Sequence, residues 1–166
     1  MASGDRRLTG LRGWLLLLVL TLGLFSPLRL IYHAFASLYA RDVVARMGQE
    51  PGWPAYRVAE TITFCAHIAI LLFVAWRLVK VRHWSSVRLC VAGIWAATLG
   101  LLLVECALGV ILLGATADQM IDIAFGPAIQ GAIFCSLWTG YLLRSRRVAN
   151  TYPDRSDDDR LAAVFD

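Results

Sequence analysis

The chain has 166 residues, of which 58% are hydrophobic and 17% charged, with a formal net charge of +4. A soluble domain carries about 25% charged residues, so this chain has too little polar surface to cover itself in water. Nor does the positive balance indicate nucleic-acid binding, because Lys and Arg cluster at the ends of apolar runs, where they set membrane topology.

Apolar stretches predict transmembrane helices over about residues 14–33, 58–78, 89–113 and 121–143. A hydrocarbon core ~30 Å thick takes ~20 helical residues to cross. Backbone polar groups cannot go unpaired in lipid, so such stretches cross as helices. The expected fold class is all-α: an integral membrane bundle of four transmembrane helices within residues 13–147. No length remains for a separate catalytic module.

Basic residues orient the bundle. Arg6, Arg7 and Arg12 precede the first span, Arg77, Lys80, Arg82 and Arg88 separate the second and third, and Arg144, Arg146 and Arg147 follow the fourth. These ten share one side, against three (Arg41, Arg46 and Arg57) on the other. The excess predicts both termini in the cytoplasm, with residues 1–12 as a cytoplasmic leader. A cleavable signal peptide ending at Ala34-Phe35-Ala36 fits poorly, because Pro27 and Arg29 separate the apolar run from that site.

Pro27 is expected to kink the first helix or end it. In the outer loop, residues 34–57, Phe35, Leu38, Tyr39, Val43 and Met47 recur at helical spacing. They predict an amphipathic surface helix or an extension of the first span. Pro51-Gly52-Trp53-Pro54 breaks that helix, and Trp53 and Tyr56 are expected at headgroup level. The short basic break makes the second and third helices antiparallel neighbours. Residues 148–166 read as a flexible cytoplasmic tail, rich in Asp, in which Leu161-Ala162-Ala163-Val164-Phe165 is a frayed end or a short docking motif. No internal repeat points to an inverted-repeat transporter.

Ala128, Ala132, Ser136 and Gly140 recur every four residues in the fourth span, with a weaker counterpart in Gly93, Ala97 and Gly100. Such seams let helix backbones approach closely, within the bundle or across a homodimer. Ionisable groups in hydrocarbon are costly and normally face protein or water. Arg29, Glu60, His67, Glu105 and Gln130 form the candidate intramembrane polar cluster. Arg29 and Glu105 share a depth, roughly 6–9 Å outward of the midplane, which predicts an ion pair. Glu60, His67, Glu105 and Gln130 would line an outward-facing pocket, either exchanging protons or simply locking the bundle by hydrogen bonds.

Cys65, Cys90, Cys106 and Cys135 lie within or at the edges of spans, without a Cys-x-x-Cys pair, which argues against a thiol oxidase. His33, His67 and His83 lack ligand spacing. No phosphate loop or nucleophile elbow occurs, so no metal, cofactor or catalytic residue is expected.

Gly10-Leu11-Arg12-Gly13-Trp14-Leu15 opens the first span, and Trp138-Thr139-Gly140-Tyr141 is followed by Ser145-Arg146-Arg147-Val148-Ala149-Asn150-Thr151-Tyr152. Together these resemble the bacterial four-span family catalogued as domain of unknown function 2569, over about Gly10 to Tyr152. That family opens with a glycine pair before Trp-Leu and closes with Tyr, then Ser-x-Arg-Val and Thr-Phe. Arg12 departs from the glycine pair, and Tyr152 stands where Phe is usual. The resemblance implies a multi-pass bacterial inner-membrane protein without an assigned activity. Arg144, Arg146 and Arg147 would also attract anionic lipid.

Two functions follow as expectations. The first is a non-enzymatic interaction or accessory subunit, partnered by the lipid bilayer and by a second copy or another membrane protein. The second is a small carrier or proton-linked permease using Glu105 and His67. A membrane enzyme, lacking a nucleophile or metal, ranks third.

Overall fold

Residues 13–153, the part that the computed structural model describes, form α1 (Trp14–Tyr39), α2 (Arg41–Met47), α3 (Trp53–Lys80), α4 (Trp84–Leu113), α5 (Ala117–Arg144) and α6 (Arg146–Thr151). The leader, and the tail beyond Pro153 with its Leu161-to-Phe165 segment, lie outside the described residues. α1, α3, α4 and α5 are each long and apolar enough to cross a bilayer. No strand occurs among the described residues. The protein is therefore a multi-pass, all-α membrane protein. α3 and α4 begin at Trp53 and Trp84, each five residues before the run recognised by its apolarity. Polar residues such as Arg57 and Arg88 lower the local hydropathy without interrupting helical hydrogen bonding.

Pro27 does not end α1. The turn before it, Thr21–Phe25, widens to π-helical spacing, and Ser26 N–H donates to the Thr21 carbonyl. A local register change of this kind accommodates the hydrogen bond that proline cannot make. A second π turn, Phe35–Tyr39, carries α1 further, until extended Ala40 (ψ 138°) breaks it from α2. The amphipathic segment thus divides: its first part prolongs the span and its second part is a separate helix.

α3 is the central rod, packed against both α1 and α4, and α5 packs against α4. Leu18 and Leu22 of α1, Leu71 and Leu78 of α3, and Val87 and Ile94 of α4 meet in a fully packed core. In lipid, tight packing rather than burial from water holds such a core together. At the basic end, Trp14 meets Trp138 edge to face, with ring centroids 6.5 Å apart, bringing α1 to α5. At the opposite end, Gly114 (φ 65°) terminates α4 in the left-handed conformation that glycine adopts without strain. Thr116 and Gln119 then form a reciprocal capping box that starts α5.

The seam on α5 differs from the one expected. Gly131 is buried, and a Cβ there would lie 2.5 Å from the Thr98 methyl, so α4 and α5 approach closely at this point. Four and eight residues on, Cys135 Sγ reaches the Ile94 carbonyl (3.5 Å) and Thr139 Oγ1 accepts from Trp95 Nε1 (3.1 Å). Ser136 is exposed, nothing lies within 4 Å of a Cβ built on Gly140, and Ala128 and Ala132 are half-buried. The close-packed seam therefore runs one residue from the predicted row, because Gly131 rather than Ala132 sits opposite Thr98. In α4 the two glycines divide: Gly93 packs against Val74, whereas Gly100 is open.

The flexible-tail expectation needs correcting for residues 148–152. Val148 and Tyr152 are buried, and the Tyr152 hydroxyl donates to the Leu78 carbonyl at 2.6 Å. α6 thereby folds back onto the end of α3. The acceptor is the backbone of α3's last turn, where carbonyls lack a helical donor.

Candidate functional site

One face of α3 carries Trp53, Tyr56, Glu60, Thr63 and His67, at alternating intervals of three and four residues. Such spacing places them in a single stripe about 21 Å long. Trp53, Glu60 and Thr63 are only 5%, 4% and 7% exposed, and Tyr56 and His67 are half-buried. Thr63 is satisfied locally, donating to the Ala59 carbonyl at 3.1 Å. Trp53 Nε1, Glu60 Oε2 and His67 Nδ1 are buried without a hydrogen-bond partner. These three orphans fall seven residues apart, down the same face. A native interior rarely leaves such groups unsatisfied, and unsatisfied ones mark a strained or functional place.

α4 brings a second carboxylate to this stripe. Glu60 lies within the electrostatic field of half-buried Glu105, and Tyr56 lies within the field of both. Arg57 does not neutralise them; its guanidinium sits over the Tyr39 ring, 5.5 Å from the centroid. The Tyr39 hydroxyl is itself paired with Thr61 Oγ1 at 3.0 Å. The arrangement is two carboxylates and a phenol, with the Arg57 guanidinium turned to Tyr39. Two neighbouring carboxylates of this kind can accept a proton or a cationic group.

The predicted cluster divides into three parts. Glu60 and Glu105 come together. Arg29 is exposed on α1 and its charge reaches His67, without an ion pair to Glu105. Among the described residues, the ion pair formed is the exposed Arg46–Asp42, at 3.0 Å. Equal depth placed Arg29 and Glu105 at one level, but depth says nothing of the direction each faces around its helix. Gln130 is exposed on α5, away from the proposed pocket.

Trp53 is buried at the start of α3. It packs with Leu38 and Phe64 in a small second core and stacks on Tyr56, with centroids 5.8 Å apart. The heptad spacing of positions 53, 60 and 67 is the signal that could have joined Trp53 and Tyr56 to the site. Cys90 and Cys135 are buried free thiols, Cys106 is half-buried and Cys65 exposed. Among the described residues, no group of three or more His, Cys, Asp or Glu side chains forms a metal-binding cluster.

The profile of the family described as Protein of unknown function (DUF2569) matches residues 8–153. The chain belongs to this family. The DUF2569 match takes in all four long helices, the carboxylate pair and docked Tyr152. No curated protein matches the chain, and neither does any solved structure.

Proposed function

We propose that this DUF2569 protein is a non-enzymatic interaction or accessory subunit of the bacterial inner membrane, docking a partner transmembrane helix on the outward face of α5. Gln130 carries this reading. It sits at the centre of a 28-residue helix, exposed, and its amide bonds nothing within the described chain. About 20 Å of helix separates it from either end, too far for the side chain to reach water. An amide facing hydrocarbon calls for an interhelical partner, and small neighbours admit one closely. Gly126 and Gly140 lie on the same outward side, each with nothing within 4 Å of an added Cβ, and Ser136 is exposed beside them. The fitting partner is a helix, from this protein or another, with an amide or hydroxyl at its own midpoint.

A photo-crosslinker at Ile133 is expected to trap a discrete protein adduct in native membranes, whereas one at Leu103 on lipid-facing α4 is not. Gln130→Leu should cut that adduct by about threefold to tenfold, the range typical of one intramembrane polar contact, while leaving thermal stability unchanged. Equal adducts from both positions, or indifference to Gln130→Leu, would refute the docking face.

A second reading is a small proton-linked or cation-linked carrier. Its support is the unpartnered Glu60 Oε2 beside Glu105, since ionisable residues inside a membrane commonly mark an ion path. Glu60 belongs to the same expected pocket as Glu105 and His67. In proteoliposomes, Glu60→Gln or Glu105→Gln is expected to abolish a pH-dependent flux that the folded wild-type protein supports. Flux that survives both substitutions removes this reading.

A further inference from the structure

On the side of the bundle between α3 and α4 lies a crevice of about 300 Å³, opening outwards. Ile70 and Phe73 of α3 face Leu89, Ala92 and Ala96 of α4 across it. Gly93 forms its floor: a Cβ there would stand 2.6 Å from Val74 Cγ2, so glycine lets the two helices close beneath the opening. Ala92 and Ala96 are exposed and small, which keeps the crevice open along about 10 Å of helix. Every lining residue is apolar.

One turn beyond Phe73, on the same face of α3, stands Arg77. It is half-buried, and its Nη2 donates to Ser85 Oγ over a long 3.4 Å. That serine is already engaged with His83 Nδ1 at 2.9 Å. Among the described residues, Arg77 Nε has no partner. No Asp or Glu occurs in the sequence between Glu60 and Glu105, so neither the end of α3 nor the start of α4 supplies a counter-charge. Lys80, Arg82 and Arg88 add positive charge nearby, and the N-terminus of α4 points the same way. An apolar slot therefore ends beneath a guanidinium with unused donors and, among the described residues, no anion of its own.

We infer that this crevice is a binding site for an anionic phospholipid, one acyl chain lying between α3 and α4 and the phosphate held by Arg77. Basic corners between transmembrane helices recognise such headgroups by charge, and the planar guanidinium matches phosphate oxygens. The slot adds what a surface charge alone lacks, a fixed place for the hydrocarbon. The site is independent of the α5 docking face and of the Glu60–Glu105 pair.

Native mass spectrometry of the delipidated full-length protein, titrated with phosphatidylglycerol or phosphatidylcholine, tests this. The wild type should retain phosphatidylglycerol preferentially, and Arg77→Gln should weaken that preference by about tenfold, the value of one charge-assisted contact. Arg41→Gln, an equal loss of charge at an exposed site on the opposite end of the bundle, should leave it unchanged. Ala92→Phe fills the slot from its exposed side and should weaken binding with every charge intact. Should Arg77→Gln fail to fold, the Ala92→Phe comparison decides alone. If Ala92→Phe binds like wild type, or Arg41→Gln loses as much as Arg77→Gln, the attraction is unspecific and the site does not exist. If preference emerges only after Asp157, Asp158 and Asp159 are changed to Asn, the corner belongs to the acidic tail, and the lipid assignment is overturned.

Discussion

Replacing Tyr152 with alanine is expected to lower stability by about 3–5 kcal/mol, the range for deleting a buried aromatic side chain. Tyr152 is only 1% exposed and is among the largest fully buried side chains of the described chain. Its ring, with Val148, holds α6 against the main core, and its hydroxyl ties α6 to the last turn of α3. Tyr152→Phe keeps the ring and loses the hydrogen bond, so its cost should be near 1 kcal/mol. Melting of the detergent-solubilised protein, followed by tryptophan fluorescence, separates the two. Equal losses would mean that the hydroxyl rather than the ring anchors α6; no loss from either would mean that α6 is undocked. Burial pushes the Tyr152 phenol from its ordinary 10 up to about 12. Because the folded state favours the neutral phenol, the associated stability is intact below pH 10 and declines between about pH 10 and 12. The Phe variant should lose this alkaline dependence.

Gly52→Ala is expected to destabilise the protein by at least 1–3 kcal/mol, about the cost of overpacking. The backbone at Gly52 is ordinary (φ −81°), so the need for glycine is purely one of space. A Cβ there would run into the Leu112 carbonyl oxygen, and a backbone atom cannot move aside as a flexible side chain can. Relief requires the start of α3 to separate from the end of α4. That movement displaces Trp53 and Tyr56, and with them the wall around the two carboxylates. Gly140→Ala, with nothing within 4 Å, is the matched control and should fall within about 0.5 kcal/mol of wild type. A Gly52→Ala protein melting with the control would show that this contact is loose.

Composition and hydropathy were enough to read the all-α class and the four apolar helices, because lipid permits few ways of satisfying a backbone. The candidate site was legible only in part. Glu60 and Glu105 were visible as costly charges at depth, yet the partner assigned to Glu105 was Arg29. Trp53 was read only as an interfacial aromatic, because a tryptophan after Pro51-Gly52 gives no sign that it packs with Leu38 and Phe64. The small-residue row at 128, 132, 136 and 140 was a real periodicity on a face that the bundle leaves largely open. Gly131, Cys135 and Thr139, which make the close contact, are too mixed in type to stand out as a motif.

What the sequence determined by itself was the solvent of each segment, helix in lipid or polar connection in water, since that depends on residues adjacent along the chain. The tertiary structure alone decided which helix faces which: Glu105 towards Glu60, Gln130 away from both, and Tyr152 onto Leu78. Depth follows from counting residues along one helix. Direction around the axis follows from how four helices pack together, and small steric facts such as the missing Cβ of Gly52 or Gly131 set that packing.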